Sequence, residues 1–317
     1  MKNIMLKRSI ITDNAYVLKD SKELKKGDKI PIVSDVMFNV MINNESRKQY
    51  ASYLISEVLN MDYEKVYKSI IFVKEKIDKN KYIESGKTVD FVCEIDGEII
   101  GIEMNNNTSK SSLERNISYA ADLYKSKMIR GKKYDYRKVY QINLNNFTFE
   151  NNEEVIEEYS IRNDRGEEFT DKLKFIHIYL PNIAKKDYNQ ITELERMLLV
   201  YNNESSSSIR LAKGDDILEE FVKDAVDASS NDEIIGLYDK ELHLEKLKLS
   251  EIEEAKEEAR EEGREEGRTE GLAEGIAKGE TNKQIEIAKN MLKLGISTDL
   301  IEKATGLTKV KLDRLID

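Results

Sequence analysis

Apolar and polar residues alternate along residues 87–105, on both sides of the dipeptide Asp96-Gly97. A period of two is typical of β-strands, in which successive side chains point to opposite faces. Asp-Gly between two such runs predicts a hairpin with a two-residue type I′ turn, because that turn needs positive φ at both positions. The pattern therefore predicts two antiparallel strands whose register is set by the turn.

The predicted register gives the hairpin one apolar face and one face that carries acids. Alternation places on the apolar face Phe91, Cys93, Ile95, Ile100, Ile102 and Met104. The other face carries Asp90 directly opposite Glu103. Directly opposed residues hold their Cβ atoms roughly 4.5 to 5.5 Å apart, where like charges destabilise a sheet. We therefore expect a cation at this pair, and Mg²⁺ is suited to carboxylate oxygens.

The alternative for Asp90 and Glu103 is a solvated hairpin face on which each acid is hydrated separately. Val92 and Ile99 lie on the same predicted face. Two apolar side chains there favour a covered face over a wet one.

Helical and strand periods alternate around the hairpin. Ser34 or Asp35 can cap a short helix, and Ser46 can begin a longer helix that ends at Asn60. The further predicted elements are a strand over 70–73, a helix from Ser111 to Gly131 opened by a capping box, and strands over 137–144 and 172–180, the last stopped by Pro181. The order from residue 34 is helix, strand, strand, strand, helix, strand.

The chain after about residue 186 has a helical pattern. Residues 190–202 and 215–228 are amphipathic, the segment from Ser205 to Ser208 is predicted to be a loop, and helical character returns from Asn231. Small residues then recur at every fourth position between Ala255 and Gly279. Each glycine in a helix interior costs about 1 kcal/mol relative to alanine, so five of them cost roughly 5 kcal/mol.

Two arrangements fit this glycine repeat, namely a helix paired closely with one from another subunit, and a flexible linker. The regular period and the Glu to Arg or Lys pairs at helical spacing favour paired helices. We therefore expect a homodimer through the C-terminal helices.

Beyond the repeat, Ser297 and Thr308 are candidate caps of two short helices with Gly306 between them. This resembles a helix-turn-helix, whose second helix enters a DNA groove; the alternative is a small helical cap or assembly unit.

The composition limits the class of protein. Charged residues make up 35% of the chain, and no run approaches the ~18 to 20 apolar residues of a membrane span or forms a signal peptide. We expect a soluble, cytoplasmic protein without a membrane partner. Cys93 is the one cysteine, which excludes an intrachain disulfide and predicts a buried structural thiol. His177 and His243 are far from each other and from any cysteine, which argues against zinc.

The charge is distributed unevenly. The net charge is −10, of which residues 251–280 contribute 12 acidic and 5 basic side chains, a net −7. Residues 108–138 carry nine basic and three acidic side chains, a net +6. A basic segment next to the predicted acidic pair fits a phosphate backbone. A solvated helix face is the alternative, and Tyr119 and Tyr124 in this segment suit a core as well as base stacking.

Several motifs resemble those of the PD-(D/E)XK nucleases, and within them the recombination-promoting nuclease and transposase group. Over residues 34–150 they are Ser34-Asp35-Val-Met-Phe38, Val89-Asp90, Glu103-Met-Asn105 and Arg115…Tyr119…Tyr124…Gly131-Lys-Lys-Tyr134, and near the C-terminus Leu294-Gly-Ile-Ser and Thr305-Gly-Leu-Thr. The resemblance implies an α/β fold, a restriction-endonuclease-like αβββαβ core with a mixed sheet flanked by helices, followed by a helical C-terminal region. The implied divisions are a leader over 1–33, a nuclease-like domain over 34–185, a helical region over 186–250, the acidic glycine repeat over 251–280 and a helix-turn-helix-like unit over 281–317.

The resemblance also implies a site. Asp90 and Glu103 correspond to the acidic pair that holds Mg²⁺, and Asp35 completes the site directly or through water. The residue two after the glutamate is Lys in the superfamily and Gln in this group, whereas here it is Asn105. Asn offers an acceptor and donors but is one methylene shorter than Gln. We therefore expect Asn105 to orient water, with a rate of hydrolysis that is reduced or lost.

The leading hypothesis is Mg²⁺-dependent hydrolysis of DNA phosphodiesters, without a small-molecule cofactor. Arg115, Lys125 and Lys127 are the candidates for holding the phosphate backbone. The main rival is a DNA-binding or assembly protein of the same fold that has lost catalysis. A third alternative, a purely structural dimer, leaves the basic segment unexplained.

Overall fold

The protein is represented by a computed structural model that describes residues 10–11, 16, 18–73, 89–106, 110–126 and 137–315. Contacts between residues divide the chain into two units, Met1–Leu244 and Glu245–Asp317. The predicted nuclease-like domain and most of the predicted helical region therefore lie in one unit. Within the described ranges, no helix is both long enough and apolar enough to cross a membrane.

Strands and helices follow one another in the order that the periodicity predicted around the hairpin. The strands are β1 (Ile10–Ile11), β2 (Ile71–Phe72), β3 (Phe91–Ile95), β4 (Glu98–Asn105), β5 (Val139–Asn145), β6 (Thr148–Phe149), β7 (Ile156–Arg162) and β8 (Glu168–Tyr179). The helices of the first unit are α1 (Asp35–Met41), α2 (Lys48–Leu59), α3 (Tyr63–Ser69), α4 (Lys110–Ser126), α5 (Leu180–Ile183), α6 (Glu193–Asn202), α7 (Ser205–Ala212) and α8 (Asp216–Ala228). They are followed by α9 (Asp232–Lys293), α10 (Thr298–Thr305) and α11 (Lys309–Asp313).

The first unit contains a six-stranded mixed sheet with the strand order β2-β3-β4-β5-β8-β7. The strands β2, β3 and β4 pair antiparallel, β4, β5 and β8 pair parallel, and β7 pairs antiparallel to β8 at the edge. The parallel step from β4 to β5 is made through helix α4, because a parallel connection needs a crossover. The predicted α/β fold with a mixed sheet and flanking helices is confirmed.

The hairpin of β3 and β4 has the predicted turn and register. Asp96 and Gly97 both have positive φ, +50° and +86°, as a type I′ turn requires. Ile95 pairs with Glu98, and the ladder continues to Phe91 opposite Ile102. The six residues of the predicted apolar face all lie in the main hydrophobic core, where Cys93 is a buried thiol.

The opposite face of the hairpin is covered, as expected from its apolar residues. Val92 and Ile99 pack with Leu123 of α4 and Val139 of β5 in a separate small cluster. Gly101 lies directly opposite Val92, and a Cβ atom there would come 2.7 Å from Leu123 Cδ1. Helix α4 therefore packs directly on the backbone of β4, so the acidic face is partly closed to water.

Several elements differ from the expectations, among them helix α3 and the short strand β6, which were not predicted. The predicted loop from Ser205 to Ser208 is wrong, because these residues begin helix α7. The Ser208 hydroxyl is buried and donates to the carbonyls of Val200 and Asn203, both at 3.0 Å, so it is satisfied inside the fold instead of favouring a turn. Strand β7 was not predicted, since it is an edge strand whose pattern shows little alternation in burial.

The stretch predicted as a leader contributes to the core of the first unit. Ile30, Ile32 and Val33 are buried in the main cluster, and the Ile32 N–H donates to the Tyr201 carbonyl at 3.4 Å. Ser34 then caps α1, its hydroxyl accepting from the Met37 N–H. The chain entering α1 is thus held by packing before the first predicted site residue.

In the second unit, the glycine repeat is helical and belongs to α9. A Cβ atom built at Gly263, Gly267 or Gly271 would meet nothing within 4 Å among the described residues, so this face is open in a single chain. The segment is therefore a helix, as one of the two predicted arrangements required, and its pairing with a second chain stays a prediction.

The last helices follow the predicted caps, with Ser297 and Thr308 at the N-caps of α10 and α11. Their small core consists of Ala288, Ile301, Leu307 and Leu312.

Candidate active site

Asp90 and Glu103 lie side by side at the end of the hairpin. Asp90 directly precedes β3, and its backbone N–H donates to Glu103 Oε2 at 3.1 Å. In return, the Met104 N–H of β4 donates to Asp90 Oδ2 at 2.8 Å. Each carboxyl group thus accepts a hydrogen bond from backbone at or next to the other acid, which holds Asp90 and Glu103 together at the end of the hairpin.

Burial makes both carboxylates costly to ionise. Glu103 is 4% exposed and Asp90 is half-buried. Loss of hydration is the main cause that raises the pKa of each group, and the charge of Asp90 raises the pKa of Glu103 further. Backbone N–H donors and the Arg115 guanidinium act in the opposite direction. This is the electrostatic state expected of an acidic pair without enough positive charge beside it.

Asp35 is the first residue of α1 and is exposed. Its negative charge raises the pKa of both Asp90 and Glu103, so it lies within electrostatic reach of the pair. Its backbone N–H and that of Val36 donate to the two carboxylate oxygens of Glu241, at 2.8 and 3.1 Å. In the part of the chain that the structure describes, no three His, Cys, Asp or Glu side chains are grouped closely enough to hold a metal ion. The structure therefore brings Asp90 and Glu103 together, with Asp35 nearby but outside their immediate cluster.

Arg115 reaches the pair from helix α4. Its Nη2 atom lies 3.9 Å from Glu103 Oε1 and donates to Asn105 Oδ1 at 3.0 Å. Asn105, in turn, donates from Nδ2 to Asn145 Oδ1 at 3.1 Å, and its residue is only 1% exposed. Both ends of the Asn105 amide are thus engaged by protein groups. The structure joins Arg115, predicted as a DNA contact, to the acidic pair itself.

Sequence reasoning missed the polar residues behind Asn105. Asn143, Asn145 and His177 are buried beside the site, with amide nitrogens 3.3 Å from the two ring nitrogens of His177. A signal for them exists in the sequence, since Gln141 and Asn143 alternate along the predicted strand 137–144, Asn145 follows directly after it, and alternating residues of a strand share one face. Burial with loss of hydration lowers the pKa of His177 to about 4, so the imidazole is neutral at neutral pH.

The remaining predicted DNA contacts are placed differently. Lys125 lies exposed near the end of α4, whereas Lys127 falls outside the described residues. Tyr119 is 7% exposed, and Tyr124 packs against the small cluster of Leu123 and Val139. Burial therefore favours a core role for both tyrosines over base stacking.

Comparison with known families adds two matches. The family model described as "PD-(D/E)XK nuclease family transposase" matches residues 32–255, which include the hairpin and helix α4. A second model, described as "Rpn/YhgA-like nuclease family, C-terminal HTH domain", matches residues 281–317. No curated protein and no solved structure matches the chain significantly. The first match covers well over half of the chain, and the second covers the two short helices at its end.

Proposed function

The chain belongs to the PD-(D/E)XK nuclease family transposases, and from this premise we propose that it is a Mg²⁺-dependent DNA endonuclease that hydrolyses phosphodiester bonds. The observation that carries the proposal is the pair formed by half-buried Asp90 and buried Glu103, which are held together by backbone hydrogen bonds and have too little positive charge beside them. Two carboxylates in a partly closed site are expensive to keep without a cation. The proposed role in DNA recombination or transposition follows the family.

The donor set suits a hard divalent cation. Asp90 and Glu103 offer carboxylate oxygens, the ligand type of Mg²⁺, and Asp35 would contribute directly or through water. When bound, Mg²⁺ would activate water for hydrolysis and offset the charge that develops on the phosphate. The raised pKa values of both acids support this fit, because a nearby divalent charge favours the ionised forms that burial opposes.

The chain's own residues would bind and orient the substrate phosphate. The Arg115 side chain is about one-third exposed and sits beside Glu103, where a guanidinium can pair with a phosphate oxygen. Lys125 is exposed on the same helix and would contact the phosphate backbone further along. Leu123 of the same helix covers the neighbouring hairpin face and limits the access of bulk water to the site.

A second function is favoured by one specific observation, the state of Asn105. This residue stands where the superfamily has Lys and the group has Gln, and both ends of its amide are bonded to Arg115 and Asn145. An amide held in this way has little capacity left to orient water. The alternative is therefore a catalytically weak or inactive DNA-binding or assembly protein of the same fold.

DNA contact and assembly by the second unit are parts of the same proposal. The helix-turn-helix match at residues 281–317 supports DNA binding there. Exposed Lys303, Lys309 and Lys311 supply positive charge, although Lys309 pairs with Asp299 at 3.1 Å. The open glycine face of α9 supports a homodimer through the C-terminal helices.

Plasmid nicking tests the proposal. Wild type, Asp90→Ala and Glu103→Ala are compared in MgCl₂ and in EDTA, with Glu98→Ala, which removes a glutamate from the turn end of the same hairpin, as the matched control. Cleavage that requires Mg²⁺, is lost in the first two variants and is retained in the control supports the nuclease. Absence of cleavage by wild type with salt-dependent DNA binding supports the second function instead. Absence of both activities leaves the structural dimer.

A further inference from the structure

A row of buried polar residues crosses the sheet beside the acidic pair. The strand registers place Glu103 opposite Asn143, Asn143 opposite His177, and His177 opposite Glu157. The next level of the same face has Asn105 opposite Asn145. The polar residues thus extend from the candidate catalytic strand β4 across β5 and β8.

Hydrogen bonds join this row to the site, and each side chain from Arg115 to Asn145 donates to the next one along the chain. Arg115 donates to Asn105 Oδ1 at 3.0 Å, and Asn105 donates to Asn145 Oδ1 at 3.1 Å. Because the Asn145 oxygen is used there, its amide N–H is the group that faces His177 Nδ1, at 3.3 Å. The Nδ1 atom must therefore accept.

The neutral ring has one hydrogen, so acceptance at Nδ1 places that hydrogen on Nε2, which lies 3.3 Å from the Asn143 amide. The Asn143 atom at this distance is Nδ2, a donor, while Asn143 Oδ1 accepts from Gln141 Nε2 at 3.3 Å, so the Nε2–H has no acceptor in the Asn143 amide. The two ring nitrogens consequently differ in role. Only Nδ1 accepts a hydrogen bond from Asn145, the residue that links His177 to Asn105 and Arg115.

Stability alone does not account for this network. Asn143, Asn145 and His177 are at most 6% exposed, and buried polar groups of this kind add less to stability than well-packed apolar residues of the same size. Their bonds at 3.3 Å are long. What the network does accomplish is to hold an amide, and through it a guanidinium, next to Glu103.

We propose that Asn145 and His177 are positioning residues that fix the Asn105 amide and thereby hold the Arg115 guanidinium beside Glu103. Neither of them touches the substrate. Asn105 is then a bridge in the site, and the cationic side chain that faces the phosphate is Arg115. The inference rests on the proposed function, because a positioned guanidinium matters only if the site receives a phosphate.

Two conservative variants of His177 distinguish positioning from a general structural role. The amide of His177→Asn lies where Nδ1 does and keeps the contact with Asn145, whereas the amide of His177→Gln reaches the position of Nε2 and keeps only the contact with Asn143. Single-turnover nicking at saturating DNA should be near wild type for His177→Asn and lower by about tenfold for His177→Gln and His177→Leu. The unfolding midpoints of His177→Asn and His177→Gln should be similar, because each variant keeps one of the two amide contacts.

A double-mutant cycle completes the test. Adding His177→Gln to Asn105→Ala should cause no further loss of rate, because both changes interrupt the same chain. The proposal would be overturned if the rate losses of the two changes multiply, if His177→Asn and His177→Gln have equal rates, or if the rate difference between these two variants is matched by a difference in their unfolding midpoints.

Failure of the proposed function would be separately visible. If wild type does not cleave, the same variants are compared by DNA affinity in fluorescence anisotropy, with Arg115→Ala as the reference for a lost guanidinium. Weaker binding by His177→Gln than by His177→Asn, without further loss in the Arg115→Ala background, supports positioning in a non-cleaving protein. Equal affinities of the two His177 variants overturn it.

Discussion

Replacing Glu103 by Gln should stabilise the protein in the absence of divalent ions while removing the proposed activity. Glu103 is almost fully buried, its Oε2 accepts the Asp90 N–H at 3.1 Å, and its Oε1 lies 3.9 Å from Arg115. A Gln oxygen can still accept the Asp90 N–H. The variant therefore keeps the hydrogen bond and removes a charge that burial, Asp90 and Asp35 all disfavour.

The sign of the pH dependence follows from the raised pKa of Glu103. The folded protein retains the Glu103 proton at pH values where the unfolded chain, at its ordinary value of 4.5, has lost it. Wild-type stability should therefore fall as pH rises from about 4.5 through the raised pKa of the folded state. Each pKa unit corresponds to about 1.4 kcal/mol, so the variant should exceed wild type by at least about 1 kcal/mol at pH 8.

Thermal unfolding in EDTA at pH 4.5 and pH 8 measures this difference. An advantage of about 1 kcal/mol corresponds to roughly 2–4 °C in Tm for a unit of this size. The advantage should vanish at pH 4.5, where Glu103 keeps its proton in the folded state, and MgCl₂ should raise the midpoint of wild type more than that of the variant. Glu98→Gln controls for the loss of any glutamate from the hairpin. A Glu103→Gln variant that is less stable than wild type at pH 8, or a difference equal at both pH values, refutes the reasoning.

Three further results are expected. Gly101→Ala should lower the free energy of unfolding by about 1–3 kcal/mol in urea, because its Cβ would lie 2.7 Å from Leu123 Cδ1 and 2.8 Å from Gln141 Oε1; an unchanged midpoint would mean that α4 moves freely on the sheet. Glu241→Gln should cost about 1 kcal/mol in the same assay, since a single amide oxygen replaces the carboxylate that accepts three hydrogen bonds at the start of α1, and a loss under a few tenths would contradict this capping role. Light scattering should give twice the chain mass of 36.7 kDa if the open glycine face of α9 pairs, whereas the monomer mass at micromolar concentration would contradict pairing.

The sequence was a good guide wherever one local rule dominated. Asp96-Gly97 determined the turn and the register, and counting outward from the turn predicted that Asp90 lies next to Glu103. Ser34 was recognisable as a cap, because an N-cap is a short-range bond, here from the Met37 N–H to the Ser34 hydroxyl. The same local logic failed for Ser205 to Ser208, where the hydroxyl of Ser208 is satisfied by carbonyls of the preceding helix and the chain after it.

By itself, then, the sequence determined the order β2, β3, β4, α4 and β5, the register of the hairpin and the adjacency of its two acids, because these depend on φ preferences and on the periods of strands and helices. Only the tertiary structure decided what surrounds those acids. The approach of Arg115 from α4, the amide chain through Asn145 and His177, and the hold of Glu241 on α1 join residues on separate elements, and their distances depend on how the sheet and helices pack. Burial, which raises the pKa of both acids, is likewise a property of that packing.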